Sequence, residues 1–180
     1  RKESSAASDV YKRQVLYQDF LKYEFTVKDN IGLGHIEKID DISKIDAIKQ
    51  LYCGSIRHIS LKTQLGNWFD SGQQLSGGQW QRIAIARTLM NENSSMILLD
   101  EPSSALDLES ENYLFNNLMD NVKRKNKIGV FISHRIASIK KADQIIVLED
   151  GVIAGIGTHQ YLLENCKEYQ LLIEEENINE

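Results

Sequence analysis

The chain of 180 residues is long enough for one sizeable domain core, and 42% hydrophobic with 26% charged residues is an ordinary soluble-protein composition. A net charge of −5 argues against nucleic acid as a partner, and Cys53 and Cys166, far apart and outside any Cys/His constellation, predict free thiols in a reducing compartment. No apolar run approaches the ~20 residues needed to cross a bilayer.

In chain order, Thr26 to Gln74 is polar and helix-leaning, and Ile42, Ile45 and Ile48 recur at helical spacing within Asp40–Gln50. Leu75-Ser76-Gly77-Gly78-Gln79 then opens a second helix that runs through Arg82, Ile83, Ala86 and Met90. Two glycines remove the Cβ atoms that would block a close approach of backbone to a ligand. A helix start presents unpaired N–H groups and the positive end of the dipole, and Ser76 adds a hydroxyl donor, which together suit a phosphate. On these residues alone a plain Gly-Gly turn capping a helix remains an open alternative.

Met96 to Leu99 is a short, wholly apolar run, as expected of a parallel strand buried on both faces. It ends in Asp100 and Glu101. Ligands of α/β sheets bind beyond the carboxyl ends of the strands, so both carboxylates are delivered to such a place. Adjacent side chains on an extended chain diverge, which lets one hold a divalent cation while the other faces a water. The alternative is a strand end leading into a helix cap. Leu108 to Lys125 carries Leu114, Phe115, Leu118, Met119 and Val122 on one face, an amphipathic helix that Asp107 can cap. Ile128 to Ile132 reads as a buried strand that brings Ser133 and His134 to the same sheet edge. Gln144–Leu148 and Val152–Ile156 flank Asp150-Gly151, a hairpin signal. His35, His58 and His159 lack partners at metal-ligand spacing and read as surface or satisfied histidines.

Taken together these residues resemble the nucleotide-binding domain of an ABC transporter from about Val15 to the C-terminus. Leu75–Gln79 matches the family signature, Met96–Asp100 the Walker B strand and Glu101 the catalytic glutamate. Ser104-Ala105-Leu106-Asp107 matches the D-loop, His134 the switch histidine and Gln18 the Q-loop glutamine. The resemblance implies an α/β fold, a partial P-loop NTPase-type parallel sheet core with a helical subdomain over about 26–74 and a catalytic core over about 75–180. It implies ATP and Mg²⁺ as cofactors. Leu75, Ser76, Gly77, Gly78 and Gln79 would be cofactor-binding, with Ser76, Gly77 and Gly78 closing over the γ-phosphate held by a partner subunit. Asp100 and Gln18 would help position Mg²⁺, Glu101 would polarise the attacking water, His134 would contact the γ-phosphate, and Asp107 would act across a head-to-tail dimer.

Several departures qualify the resemblance. No Gly-x-x-x-x-Gly-Lys-Ser/Thr occurs anywhere, so the phosphate-cradling loop and its lysine are not in this sequence. The chain is therefore expected to be the C-terminal fragment of a longer polypeptide. Residues 1–14, rich in Ser, Ala and basic residues, are expected to be foreign to the domain, the alternative being a divergent native strand around Val10 and Tyr11. Ser103 stands where the family usually carries Thr. In the segment before the signature, Thr63-Gln64-Leu65-Gly66 replaces the usual Thr-Glu-x-Gly of exporters.

The stretch between Gln18 and the signature is too short for the long coiled coil of chromosome-maintenance relatives. Gly157 to Leu163, with Tyr169 and Leu171-Leu172, resembles the closing helices of ABC exporters. The expectation is an exporter ATPase domain at the cytoplasmic face of the cell membrane. Its partners would be transmembrane domains, expected upstream on the same chain, and a second nucleotide-binding domain, with no nucleic acid. Two rivals stand beside it: a non-transport ABC ATPase acting as a regulatory or repair clamp, and an interaction module unable to bind nucleotide. The exported substrate is set by membrane helices and is not legible here.

Overall fold

The computed structural model describes residues 13–179, with side chains described through residue 176. It contains two compact units, divided between Ile132 and Ser133.

The first unit is organised on a three-stranded parallel sheet of order β1-β2-β3, with β1 Arg13–Leu16, β2 Met96–Asp100 and β3 Ile128–Ile132. The central strand β2 pairs Leu99 with Leu16 on one side and Phe131 on the other. Ile97 and Leu99 are fully buried, whereas Met96, Leu98 and Asp100 are only partly covered. The expectation of a strand dry on both faces thus holds for one face. β3 departs further from expectation, because Ile128 is 63% and Ile132 51% exposed. Among the described residues β3 pairs with β2 alone, and as an edge strand it is anchored chiefly through Phe131, whose ring meets Phe115 edge-on at 5.7 Å.

β1 begins at Arg13, two residues before the boundary drawn from sequence. Gln14 is buried, accepting from Ser94 Oγ (2.6 Å) and donating to the Thr88 carbonyl, and these bonds tie it to the chain before β2. The remainder of the expectation for residues 1–14, including a strand around Val10 and Tyr11, lies outside the described residues.

Helices fill the chain between β1 and β2. Helix α1, Val27–Gly32, is capped by Thr26, whose hydroxyl accepts from Asp29 N. Helix α2, Ile42–Tyr52, is capped by Asp41 and buries Ile45 and Ile48, but Ile42 at its first turn is 49% exposed. Helix α3, Gly77–Leu89, buries every residue from Trp80 to Ala86. Asn30, fully buried, donates to the carbonyls of Tyr23 (2.9 Å) and Thr26 (3.1 Å) and receives Arg87 from α3 at 2.8 Å. Helix α4, Leu108–Arg124, follows β2 and buries Leu114, Phe115 and Leu118, the face expected from its spacing.

The second unit contains the short helix α5, Ile136–Ile139, the antiparallel pair β4 Ile145–Glu149 and β5 Val152–Gly157, and helices α6 His159–Asn165 and α7 Lys167–Asn179. The expected hairpin is present, and Asp150 and Gly151 both take positive φ at its turn, 47° and 79°. Ile145, Val147, Leu162, Cys166 and Tyr169 form its core. His159 Nδ1 lies 2.8 Å from Tyr169 Oη, a satisfied histidine as expected.

One ion cluster yields a pH prediction. Glu92, in the turn between α3 and β2, meets Lys125 after α4 and Lys44 of α2 (3.1 Å), and the bond from Lys125 above all pulls its carboxyl down to about 2. A depressed folded-state value contributes stability that is present above the ordinary value near 4.5 and is lost as pH falls toward about 2. Glu92→Gln should therefore lower stability at neutral pH and flatten that part of the acid limb. Urea unfolding of both proteins from pH 7 to pH 2 checks it, and parallel curves would show that the cluster contributes nothing.

Candidate functional site

The signature turn is a capping box. Ser76 Oγ accepts from Gln79 N at 3.3 Å and Gln79 Oε1 accepts from Ser76 N at 2.9 Å, which stops the helix at a fixed residue. The Gln79 side chain is engaged in this cap, and Leu75 is buried in the core. The two glycines differ. A Cβ on Gly77 would meet nothing within 4 Å, whereas one on Gly78 would lie 2.5 Å from the Ala105 carbonyl oxygen. Gly77 is thus open to a visitor from outside, and Gly78 is glycine because the chain after β2 presses on the helix.

Beyond β2 the chain turns sharply. Glu101 takes a φ of 44°, in the left-handed region that a side chain disfavours, and its backbone is held from both ends. Its N–H donates to the Ile132 carbonyl at 3.0 Å, and its own carbonyl accepts from Gln81 Nε2 at 2.8 Å. Gln81 also donates to Ser104 Oγ (3.2 Å) and accepts from Ala105 N (3.4 Å). Within the turn, Ser103 Oγ donates to Glu111 Oε1 at 3.0 Å, with both residues buried. The contact uses only a hydroxyl, which explains why Ser serves where the family usually has Thr. Asp107 accepts from Ser110 N at 2.8 Å as the cap of α4, and that bond chiefly holds its carboxyl below the usual range.

Gln18, two residues after β1, donates from Nε2 to Glu101 Oε2 at 3.3 Å. A groove of about 300 Å³ opens here, with Gln18, Lys22, Gly77, Gln81, Ser104 and Ala105 in its lining. Gln18 and Gly77 thus line one groove, and Glu101 joins it through the Gln18 amide, with Asp100 beside Glu101 at the end of β2. Asp107 lines a different cleft, with Arg57 and Arg82. His134 belongs to the second unit, at the bend before α5. Sequence reasoning missed Gln81, Lys22 and the Ser103–Glu111 pair. A glutamine inside an apolar helical pattern two residues after Gln79 was the available signal for the first.

The segment before the signature is tied to the chain after β1. Leu65 N donates to the Phe25 carbonyl at 3.0 Å, Trp68 N to Glu24 Oε2 at 2.6 Å, and Gln64 Nε2 to the Glu24 carbonyl. A glutamate at 64 could not donate in this way, and the carboxylate at this corner is supplied by Glu24 instead. Tyr17, Leu21, Phe25, Trp68 and Phe69 are exposed along these two segments.

A parallel sheet with carboxylates at the end of its central strand, beside a capped glycine turn, agrees with the ATPase fold of ABC proteins. The family described as ABC transporter matches residues 3–104, more than half of the chain, and the chain belongs to it. The subtilin transport ATP-binding protein SpaT of Bacillus subtilis is 47% identical over 175 residues, covering 94% of this chain and 28% of the relative. The nisin transport ATP-binding protein NisT of Lactococcus lactis subsp. lactis is 43% identical, covering 88% and 26%. In the solved structures, a bacterial Atm1-family ABC exporter with ATP bound matches with a TM-score of 0.79 at 27% identity, covering 92% of this chain and 28% of that one. The chain thus spans about a quarter of the length of these proteins.

The contrast between the two glycines is testable. Gly78→Ala must displace the Ala105 carbonyl and should lower stability by about 1–3 kcal/mol, the usual cost of overpacking. Gly77→Ala should be neutral or slightly stabilising, since alanine favours the helix. Chemical denaturation of the two variants checks this, and equal effects would contradict the packing described.

Proposed function

We propose that this chain forms part of the ATP-hydrolysing domain of an exporter and works at the cytoplasmic face of the membrane as one member of a head-to-tail dimer. The observation that carries this reading is the bond from Gln18 to the Glu101 carboxylate beside a groove that Gln18 and the open Gly77 line. The donor set suits Mg²⁺-ATP: carboxylate and amide oxygens at Asp100 and Gln18 for a hard cation, and an exposed glycine turn opening a helix of 13 residues for a phosphate. The phosphate loop absent from this sequence is assigned to another segment of the working protein.

In this reading Ser76 and Gly77 close on the γ-phosphate bound by the partner subunit, with Gly78 keeping the helix start seated on the Ala105 turn. Mg²⁺, when bound, neutralises charge on the phosphates. The Glu101 carboxylate accepts a proton from the attacking water, and the Gln18 amide orients that carboxylate. His134 donates to the γ-phosphate, and Asp107 works at the dimer interface while capping α4. Catalysis here is positioning and electrostatic stabilisation, so dividing the groups between two subunits makes closure a condition for hydrolysis. The exposed apolar residues around Phe25 and Trp68 are assigned to the membrane domains, and large exposed apolar patches commonly mark such contacts. Relatives named for subtilin and nisin transport favour export over a regulatory clamp and make a substrate of that kind the first to test.

In the full-length transporter carrying this chain, Glu101→Gln should retain ATP binding and lower hydrolysis about 10²–10⁴-fold, the contribution of a positioned general base. His134→Ala should also cut turnover with little change in thermal stability. Parent-rate hydrolysis by both variants would remove these residues from the chemistry.

The dimer is probed at Gly77, where a substitution leaves the fold intact. Gly77→Asp places a carboxylate on the open side of the turn, facing the incoming anion. Sedimentation in a Glu101→Gln background should show ATP-induced dimers lost while nucleotide still binds. Dimers persisting at undiminished affinity would exclude the composite site.

A further inference from the structure

The Gln81 side chain touches the Glu101 backbone, the Ser104 hydroxyl and the Ala105 backbone at once, and it is 4% exposed. It uses both ends of its amide: Nε2 donates to Glu101 O and Ser104 Oγ, and Oε1 accepts from Ala105 N. The left-handed Glu101 conformation costs on the order of 1–3 kcal/mol and persists only where its surroundings over-determine it. The Glu101 N–H is held by the Ile132 carbonyl, and its own carbonyl is shared by Ser104 N within the turn (3.3 Å) and Gln81 Nε2 (2.8 Å), the shorter bond and the one that comes from the signature helix. Gln81 stands two residues beyond the capping residue Gln79 on the same helix, so a shift of the α3 start is passed to Glu101 and to the Ser104–Ala105 turn together. Gly78 adds a second point of registration, because its missing Cβ lets the Ala105 carbonyl seat against the helix.

We propose that Gln81 is a positioning residue that locks Glu101 and the Ser104–Ala105 turn to the signature helix, making the aim of the Glu101 carboxylate depend on whether that helix has engaged its phosphate. The proposal rests on the reading of Glu101 as the group that polarises the attacking water. It adds a path within one subunit from the turn that meets the partner's nucleotide to the carboxylate that serves the subunit's own. A glutamine suits this post because no other side chain of its length offers a donor and an acceptor without charge. Gln81→Leu keeps the volume and loses both functions, and Gln81→Glu keeps the acceptor for Ala105 N while losing the donor to Glu101 O.

The test compares Gln81→Leu, Gln81→Glu, Glu101→Gln and Leu118→Ala in the full-length transporter. Leu118→Ala is a stability control, since Leu118 is buried in α4 away from the groove lining. Gln81→Leu and Gln81→Glu should each lower kcat about 10–10²-fold, the scale of an ångström of misplacement, with the KM for ATP within about twofold of the parent. Leu118→Ala should lower the melting temperature at least as much yet keep kcat per folded molecule. Unchanged kcat in both Gln81 variants, with Glu101→Gln impaired, would overturn the proposal and leave the Glu101 reading standing. Unchanged kcat in Glu101→Gln would overturn that reading, and the proposal with it. Should Gln81→Leu fail to fold, Gln81→Glu carries the same comparison. Amide hydrogen exchange on the chain itself adds a readout independent of turnover: Ala105 should exchange at least ~10-fold faster in Gln81→Leu, a measurable local opening. Unaltered exchange there would also overturn the lock.

Discussion

Burial of the signature helix on all sides is the constraint from which the site follows. Every residue from Trp80 to Ala86 lies in the interior, which is about two turns of helix with no face left for solvent. Two of those residues, Gln81 and Arg82, are polar, and buried polar groups have to be bonded. Arg82 meets the carbonyl of Tyr52 at 3.3 Å, and Gln81 meets the turn beyond β2. A helix half in water would have left both side chains solvated, and the Glu101 carbonyl would have kept only the bond from Ser104 N within its own turn. The position of the carboxylate is thus a consequence of how α3 is packed.

The same turn shows how a strained backbone is sustained in a small sheet. β2 is the central strand and is registered on both sides, Asp100 opposite Ile132, so the strand end cannot slide. Ser103 and Glu111 then pin the far side of the turn to α4, and Asp107 fixes where that helix begins. Each bond is of ordinary strength, net about 0.5–1.5 kcal/mol. Their effect lies in number and direction, since together they leave Glu101 no relaxed conformation that keeps its neighbours bonded.

Features carried by local chemistry were legible in the sequence. The cap at Asp107, the buried face of α4 and the Asp150-Gly151 turn each depend on residues a few positions apart, and spacing reveals them. What was hidden depends on residues far apart in the chain. Gln81 and Glu101 are 20 residues apart, Gln18 and Glu101 are 83 apart, and Gln14 and Ser94 are 80 apart, and no periodicity marks a side chain that crosses the fold to one backbone atom. β3 misled for a related reason, because an apolar run shows β propensity and not how many neighbours the strand finds. The family motifs gave the two signature glycines one role, whereas the structure packs Gly78 against the Ala105 carbonyl and leaves Gly77 open.

That division of labour extends to the segment before the signature. Replacing the usual glutamate by Gln64 looks like the loss of a charge, yet the Gln64 amide donates to the Glu24 carbonyl and the Glu24 carboxylate receives the Trp68 N–H at 2.6 Å. The corner retains one carboxylate, moved to the strand side of the contact. Gly66 takes a φ of 92°, and a Cβ there would lie 2.2 Å from the Glu24 carboxyl carbon, so the glycine is what lets the acid close over the loop. Trp68 and Phe69 are consequently presented outward from a loop whose backbone is fixed, next to the chain that carries Gln18.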